Sequence, residues 1–233
     1  MSIALITLAT GPVYHEYANG MVASSHKFWP EAQTIVFTDS PYSIKGSDMC
    51  VYTEPKGYPG ETLYRYHTFL KSEGLLRKFD HVFYCDADML WVSPAGDEMI
   101  GTALTATQHP GYFGRKGTPE TRKESTAFCD WNMAYYAGGF QGGAARPYLG
   151  AMSVMRDRID ADAKNGITAV WHDESHWNRF LADHQYAEDI IELPPSYCYP
   201  EDYAGQWGWP ADKFKPVLVA LNKKKRGNHW SQS

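Results

Sequence analysis

The chain has 233 residues, 43% of them hydrophobic and 15% aromatic, and its formal net charge is −5. This length and apolar content suit one well-packed domain, and the negative charge argues against a nucleic-acid partner. No apolar run approaches the roughly 18 residues of a membrane span. The four cysteines have neither close pairing nor metal-ligand spacing. We therefore expect a soluble protein of the reducing cytoplasm.

The amino-terminal third alternates short apolar runs with a helical pattern, which is typical of a layered α/β domain. The predicted strands are Ile3 to Leu8, Thr34 to Phe37 and Met49 to Tyr52, and a helix is predicted from Tyr14 to Trp29. A longer helix is predicted from Gly60 to Phe79, with an apolar stripe of Leu63, Tyr66, Leu70 and Leu75. Arg65 lies off this stripe, so it is either solvated or paired with a phosphate or an acidic residue.

The stretch from His81 to Val92 joins apolar sequence to two carboxylates. Val82 to Cys85 predicts a buried central strand, Asp86 and Asp88 follow where it should end, and apolar residues resume at Met89. Two ionised carboxylates one residue apart repel each other, and a divalent cation offsets that repulsion. Oxygen ligands of this kind suit Mn²⁺ or Mg²⁺. The alternative is a solvated turn between two strands, and this stretch alone leaves both interpretations open.

The second half of the chain continues the α/β pattern. The predicted elements are a strand from Ala103 to Thr107, a loop from Tyr112 to Asp130, a strand from Met133 to Phe140, helices from Pro147 to Lys164 and Glu174 to His184, and strands at Ile190 to Ile191 and Val217 to Leu221. Gly138 and Gly139 would weaken their strand unless another group approaches its backbone closely. We interpret residues 1–233 as one domain, with a flexible basic tail at 212–233.

The densest group of ionisable side chains is Trp171-His172-Asp173-Glu174-Ser175-His176. A zinc site at His172 and His176 is disfavoured, because the zinc-protease signature begins His-Glu and has two residues before its second His. One interpretation is that Glu174 and Asp173 act on a sugar or phosphoryl centre. The other is a helix N-terminus, where acidic side chains favour the macrodipole and need no further role.

Four motifs, taken in order, resemble glycosyltransferase family 6, which includes the blood-group A and B transferases and the α-1,3-galactosyltransferase. The motifs are Asp86-Ala87-Asp88, His109-Pro110-Gly111, Tyr135 to Phe140 with Gly142-Gly143, and Trp171 to His176 with Asn178. The resemblance implies a GT-A fold, a Rossmann-like mixed sheet flanked by helices. It also implies retaining transfer of GalNAc or Gal from a UDP-sugar to the 3-OH of a galactoside, expected to be fucosylated, in α-1,3 linkage.

The resemblance further implies roles for residues at matching positions. Asp86 and Asp88 would hold Mn²⁺ (or Mg²⁺) beside the UDP diphosphate, and Glu174 would be the catalytic nucleophile or electrostatic stabiliser. The implied donor-binding residues are Tyr14, Arg65, Asp86, Asp88, Ala137, Gly138, Gly139, Asp173, Lys223 and Arg226. The implied acceptor-binding residues are His109 and Trp171. The 112–130 loop and the basic tail are expected to act as lids that exclude water.

Two features of the resemblance bear on the donor and the setting. The small residues Ala137-Gly138-Gly139 leave room for an N-acetyl group, which favours UDP-GalNAc over UDP-Gal. Ala9 and Gly11 replace bulky apolar residues usual near the uracil, and the anchor and stem of animal members have no counterpart. We therefore expect a compact bacterial or viral type that acts on soluble or lipid-linked glycans. A non-catalytic carbohydrate-binding module and a zinc hydrolase are the alternatives.

Overall fold

The computed structural model describes residues 1–130, 134–184, 190–202 and 211–226. The strands are β1 (Ile3–Ala9), β2 (Ala32–Thr38), β3 (Met49–Tyr52), β4 (His81–Cys85), β5 (Met89–Trp91), β6 (Leu104–Gln108), β7 (Tyr136–Ala144), β8 (Ile190–Leu193), β9 (Tyr199–Pro200) and β10 (Leu218–Ala220). Seven of them form one mixed sheet in the order β3-β2-β1-β4-β7-β6-β8. β1 to β4 run parallel, and β7 is antiparallel to both of its neighbours.

Helices cover both faces of this sheet. They are α1 (Pro12–Phe28), α2 (Gly60–Leu63), α3 (Arg65–Leu70), α4 (Glu73–Leu76), α5 (Ala145–Lys164) and α6 (His172–Asp183). On one face, Tyr66, Tyr148 and Trp177 belong to a cluster of buried apolar side chains. On the other, Met21 of α1 packs with Trp91 and their neighbours. Two apolar layers around a mixed sheet confirm the predicted α/β architecture of the GT-A type.

The predicted long helix from Gly60 to Phe79 is wrong. The chain leaves helical geometry at Tyr64 (φ −106°, ψ 20°) and at Ser72 (φ −110°, ψ 23°), which divides the segment into α2, α3 and α4. Because the chain turns at Tyr64, α3 directs Arg65 into a polar site while its neighbour Tyr66 packs in the core. Periodicity over the segment predicted helix correctly but could not locate these turns.

The two carboxylates of the central stretch lie between two sheets. β4 ends at Cys85, and the next apolar run, β5, pairs with β10 in a three-stranded sheet with β9. The N–H of Asp86 donates to the carbonyl oxygen of Gly139 at 2.8 Å, which fixes the end of β4 against β7. The connection that carries Asp86 and Asp88 therefore emerges at the carboxyl ends of β1 and β4, a common position for ligand sites in α/β sheets.

The 112–130 segment is a long loop, as predicted, and part of it is tied to the helices. Asp162 of α5 accepts hydrogen bonds from Ser125 Oγ at 2.6 Å and from Thr126 N at 2.7 Å. Glu120 accepts from Val170 N at 2.8 Å. The hydrogen bond from Arg122 lowers the pKa of Glu120 to about 2. These anchors hold 120–126 in place, and the lid role expected for the 112–130 loop stays a prediction.

Several other expectations can be compared with the described residues. The predicted strand from Met133 begins at Tyr136 and continues to Ala144, and Met133 itself lies outside the described part. The basic tail contributes β10 and a 3₁₀ turn at Lys223–Arg226, whereas 227–233 also lie outside it. All four cysteines are free. Within the described residues, no helix has the length and apolar character needed to span a bilayer.

Candidate active site

A cavity of about 350 Å³ lies at the carboxyl ends of β1 and β4. Of the residues implied by the resemblance, its lining contains Tyr14, Arg65, Asp86, Asp88, Gly138, Gly139, Trp171, Asp173, Glu174 and Lys223. Segments from six parts of the sequence thus meet here: the start of α1, α3, the β4–β5 connection, β7, the start of α6 and the turn that begins at Lys223. The sheet order brings them together, because β1, β4 and β7 are adjacent strands.

Arg65 joins two of these segments. Its side chain is buried, with Nη1 3.0 Å from Asp86 Oδ1 and Nε 3.0 Å from Asp173 Oδ2. Its guanidinium also lies 4.5 Å from the ring centre of Tyr84, whose hydroxyl donates to Asp86 Oδ1. A solvated arginine, one of the two sequence interpretations, is therefore wrong, and the acidic-partner interpretation is confirmed. The buried guanidinium of Arg65 offsets part of the repulsion between the carboxylates of Asp86 and Asp173.

Asp173 is buried without a well-directed hydrogen bond. Its side chain is 1% exposed, and neither carboxylate oxygen has a hydrogen-bond partner among the described residues, although Oδ2 is paired in charge with Arg65. Burial, opposed by Arg65, raises the pKa of Asp173 to about 7. Asp173 lines the cavity, so its unsatisfied carboxylate oxygens can accept hydrogen bonds from the hydroxyls of a ligand there.

Asp88 is paired with a cation from the other end of the chain. Lys223 Nζ lies 2.7 Å from Asp88 Oδ2 and 5.6 Å from the ring centre of Tyr14. Burial and the charge of Asp86 raise the pKa of Asp88, while Lys223 lowers it. The pairing places Lys223, one of the implied donor-binding residues, directly at the candidate site.

The donor atoms around Asp86 and Asp88 fit a divalent cation that takes part of its shell from a ligand. The hydrogen bonds and ion pairs described above engage Asp86 Oδ1 and Asp88 Oδ2. Asp86 is 35% exposed and both residues line the cavity. In the part of the chain that the structure describes, no group of three or more His, Cys, Asp or Glu side chains is arranged for a metal. Two hard oxygen ligands suit Mg²⁺ or Mn²⁺ when phosphate oxygens supply the remainder.

Glu174 is held by two hydrogen bonds. Gly138 N–H donates to its Oε2 at 2.8 Å, and the Tyr135 hydroxyl donates to its Oε1 at 2.9 Å. Burial raises the pKa of Glu174 to about 7, against the lowering effect of these two bonds. Its backbone carbonyl accepts from Asn178 Nδ2 at 2.9 Å, and the same amide binds Tyr136. The carboxylate is therefore oriented from β7 and faces the cavity.

The glycines of β7 permit close approach of these acidic side chains. A Cβ at Gly138 would lie 3.2 Å from Glu174 Cβ, and one at Gly139 would lie 2.9 Å from Asp86 Oδ2. The predicted close approach to the β7 backbone is thus confirmed, and the approaching groups are the protein's own carboxylates. Gly142 serves packing instead, because a Cβ there would lie 2.6 Å from the carbonyl oxygen of Val82.

The start of α6 has an unusual backbone. His172 has φ 51°, which makes it the one non-glycine residue with positive φ in the described part of the chain. Such a conformation is uncommon and often accompanies functional sites. It turns the chain so that Asp173 and Glu174 enter the cavity. A zinc site with His176 is wrong, because His172 lines the cavity whereas His176 is buried at 3.8 Å from Asp162.

The implied acceptor residues occupy different positions. Trp171 lines the cavity with 46% of its surface exposed, and its Nε1 donates to Thr118 Oγ1 at 2.8 Å. His109 does not line it, and its ring centre lies 5.8 Å from that of Tyr135. Burial lowers the pKa of His109 to about 4, so the imidazole is neutral near pH 7.

Ala137 and the two departures from the family pattern, Ala9 and Gly11, do not line the main cavity. Ala137 is buried beside the cavity without lining it, and the Arg226 side chain lies outside the described residues. Ala9 is fully buried. Gly11 lines an adjoining cavity of about 250 Å³ that shares Tyr14 with the main one. A Cβ at Gly11 would have no heavy atom within 4 Å, so the adjoining cavity is open at this position.

Sequence reasoning gave no role to two residues that the site uses. Tyr84, which contacts Arg65 and Asp86, belongs to the predicted buried strand. Tyr135, which binds Glu174, belongs to the Tyr135 to Phe140 motif. A tyrosine next to a catalytic motif is the available signal, since a buried hydroxyl requires a hydrogen-bond partner. The sequence could not tell which partner that would be.

Comparison with known protein families agrees with the set of side chains that line the cavity. A sequence profile described as Glycosyltransferase family 6 matches residues 67–228. The chain belongs to glycosyltransferase family 6. The match spans the Asp86-x-Asp88 and Asp173-Glu174 motifs together with Lys223, and it begins just after Arg65. Membership of the family confirms the resemblance inferred from the four motifs.

Individual relatives in this family are transferases. The chain is 33% identical over 149 residues to histo-blood group ABO system transferase 2 of Rattus norvegicus, covering 62% of this chain and 42% of that protein. It is 28% identical over 220 residues to globoside alpha-1,3-N-acetylgalactosaminyltransferase 1 of Homo sapiens (86% and 62%). It is 28% identical over 214 residues to the O-antigen biosynthesis glycosyltransferase WbnI of Escherichia coli (87% and 90%). The chain therefore spans about two fifths of the rat relative's length and most of the bacterial one's.

Proposed function

We propose that this family 6 member transfers GalNAc, or less readily Gal, from a UDP-sugar to the 3-OH of a galactoside, with retention of the α configuration. The observation that carries the proposal is the convergence of Asp86, Asp88, Asp173, Glu174 and the two cations Arg65 and Lys223 on one cavity. A carbohydrate-binding module has no need of four carboxylates, three of which pair with a buried arginine or a lysine. The expected cytoplasmic location stays a prediction.

The cation side of the cavity suits a nucleoside diphosphate. Asp86 and Asp88 would hold Mn²⁺ or Mg²⁺, which when bound neutralises charge on the departing diphosphate. Lys223 supplies a second positive charge from the tail, 2.7 Å from Asp88. The adjoining cavity beside Tyr14 offers an aromatic ring to the uracil. This side of the site therefore favours departure of UDP, because it stabilises the charge that develops on it.

The acidic side of the cavity suits the transferred sugar. Asp173, buried and short of hydrogen-bond donors, would accept from sugar hydroxyls. Glu174 is aimed by Gly138 N–H and the Tyr135 hydroxyl, so its carboxylate has a fixed direction. An oriented carboxylate next to an electron-deficient anomeric carbon can form a covalent intermediate or stabilise positive charge there. Retention of configuration is compatible with either role.

The donor preference rests on β7. Gly138 and Gly139 line the cavity without side chains, although Glu174 and Asp86 already lie close to the positions that Cβ atoms would take there. This lining without side chains is the support for UDP-GalNAc over UDP-Gal. Ala137 contributes less than the sequence implied, since it lies behind the lining.

The test is a donor and acceptor screen that measures UDP release. The purified chain is mixed with UDP-GalNAc or UDP-Gal, with Mn²⁺ or EDTA, and with or without a fucosylated galactoside. We expect release with UDP-GalNAc, loss of it with EDTA, and an α-linked product by NMR. Glu174→Gln serves as the inactive control. Glycan binding without UDP release from any donor would instead favour a carbohydrate-binding module.

A further inference from the structure

A second cavity, of about 460 Å³, lies beside the candidate active site. Its lining residues are Gln108, Tyr112, Phe113, Gly114, Arg115, Lys116, Ala134 and Tyr135. Tyr135 connects the two cavities, because its ring lines this one while its hydroxyl donates to Glu174 Oε1 at 2.9 Å. A molecule seated here lies one side chain away from the carboxylate that faces the transferred sugar.

Aromatic packing builds the wall of this cavity. The ring centres of Tyr112 and Tyr135 are 5.1 Å apart in an edge-to-face arrangement. A Cβ at Gly117 would lie 2.3 Å from Tyr135 Cγ, so the loop backbone packs directly on that ring. Phe113 in turn packs edge-to-face on Phe214, with ring centres 4.9 Å apart. Positioned aromatic faces of this kind suit the apolar C–H face of a sugar.

Two consecutive cations, Arg115 and Lys116, stand on the same wall. Arg115 Nε and Nη2 donate to the carbonyl oxygen of Gly111 at 2.9 and 2.7 Å, which positions the guanidinium. Within the described ranges, no Asp or Glu oxygen lies within 4.0 Å of the charged nitrogens of either cation. In a chain of net charge −5, a pair of cations without a carboxylate partner beside a cavity favours an anionic ligand.

The acidic group near this cavity is occupied elsewhere. Glu192 of β8 accepts from Gln108 Nε2 at 3.0 Å and from the Tyr136 hydroxyl at 2.8 Å. Both donors are neutral, so Glu192 keeps its negative charge. It nevertheless forms no ion pair within 4.0 Å of Arg115 or Lys116.

We propose that this cavity binds an acidic group of the acceptor glycan, a carboxylate or phosphate on the sugar next to the receiving galactoside. The inference rests on the proposed function, which puts the acceptor beside Glu174. The rings of Tyr112 and Tyr135 contact the sugar face, and Arg115 and Lys116 pair with the anion. A neutral glycan could use the rings but would leave both cations without a partner.

Matched disaccharides test the proposal by calorimetric titration of the whole chain with UDP present. The three probes are β-galactosyl-glucuronate, β-galactosyl-glucose 6-phosphate and neutral β-galactosyl-glucose. We expect the acidic probes to bind about three- to tenfold more tightly, as for partly exposed charge pairs. Comparison of the two acidic probes shows which anion the site takes. The preference should shrink from about 0.01 M to about 1 M salt, as the screening length falls from about 30 Å to about 3 Å.

A charge-removing variant with a matched control completes the test. Lys116 is exposed, so Lys116→Gln leaves the packing intact; it should reduce the acidic preference by about threefold without changing neutral binding. Lys78→Gln, an exposed lysine that lines neither cavity, should change nothing. Equal binding of all three probes by the unmodified protein would overturn the proposal. An equal loss for acidic and neutral probes in Lys116→Gln would overturn it too.

The failure of this inference can be told apart from failure of the proposed function. UDP release with the neutral acceptor, together with no preference for acidic probes, rejects the anion site and retains the transferase. Preferential binding of an acidic probe without UDP release from any donor retains the anion site and rejects the transfer reaction.

Discussion

The hydrogen bond from Tyr135 to Glu174 gives the sharpest test of the proposed chemistry. Tyr135→Phe removes one hydroxyl and keeps the ring that packs on His109, Tyr112 and Gly117. The lost bond joins a neutral donor to a carboxylate at 2.9 Å. Such a bond contributes about 1.5–3 kcal/mol. If it aims Glu174 in the transition state, kcat should fall roughly ten- to a hundredfold, with the retained Gly138 bond limiting the loss.

The same variant should change the pH dependence of the reaction. Glu174 acts as a carboxylate, so activity should rise with pH through its pKa, which burial raises to about 7. The Tyr135 hydroxyl lowers that pKa, and its removal should move the acid limb of the profile to higher pH. A divalent cation near Asp86 would lower the pKa of Glu174 in both the wild type and Tyr135→Phe. The acid limb of the variant would still lie at the higher pH.

The assay is UDP release at saturating donor and acceptor across a pH series. Tyr136→Phe is the matched control, because this neighbouring hydroxyl donates to Glu192 at 2.8 Å and not to Glu174. We expect that variant to keep kcat within about twofold. A Tyr135→Phe enzyme with the wild-type kcat and the wild-type acid limb would refute the role given to the oriented carboxylate.

Three further predictions concern the metal, the donor and the stability of the site. Asp88→Asn should weaken Mn²⁺ binding in the presence of UDP at least about tenfold by calorimetry, because it removes one of two carboxylate ligands; unchanged metal affinity would contradict the assignment. Gly139→Ala should lower the ratio of UDP-GalNAc to UDP-Gal turnover and reduce both rates, since its Cβ would lie 2.9 Å from Asp86 Oδ2; undiminished GalNAc transfer would place the pocket elsewhere. The raised pKa of Glu174 means that the folded state favours its protonated form, so its contribution to stability is lost as pH rises through about 7. Without ligands, Glu174→Gln should therefore gain melting temperature relative to wild type at about pH 8 but not at about pH 5; an equal difference at both pH values would refute this.

Local patterns in the sequence predicted most of the elements and the acidic motifs. The buried strands were recognisable because parallel strands covered on both faces are continuous apolar runs. Asp86 and Asp88 stood out because carboxylates flanked by core sequence require a partner. Asp173 and Glu174 stood out because they belong to the densest group of ionisable side chains. The one clear error in the helices was Gly60 to Phe79, where two turns interrupt a periodic segment. Periodicity measures which residues face the core and is insensitive to a short departure from helical geometry.

The tertiary structure decided which side chains share the cavity. Arg65 pairs with both Asp86 and Asp173, and Lys223 pairs with Asp88. Arg65 and Asp86 are 21 positions apart in the sequence, and Asp88 and Lys223 are 135 positions apart. These distances depend on the order of strands in the sheet, which no local pattern encodes. Ala137 and His109 lie outside the cavity lining, and Tyr135 lies between two cavities. Sequence by itself determined the kinds of chemical group available, and packing determined their partners, because charge pairing and hydrogen bonding act only over a few ångströms.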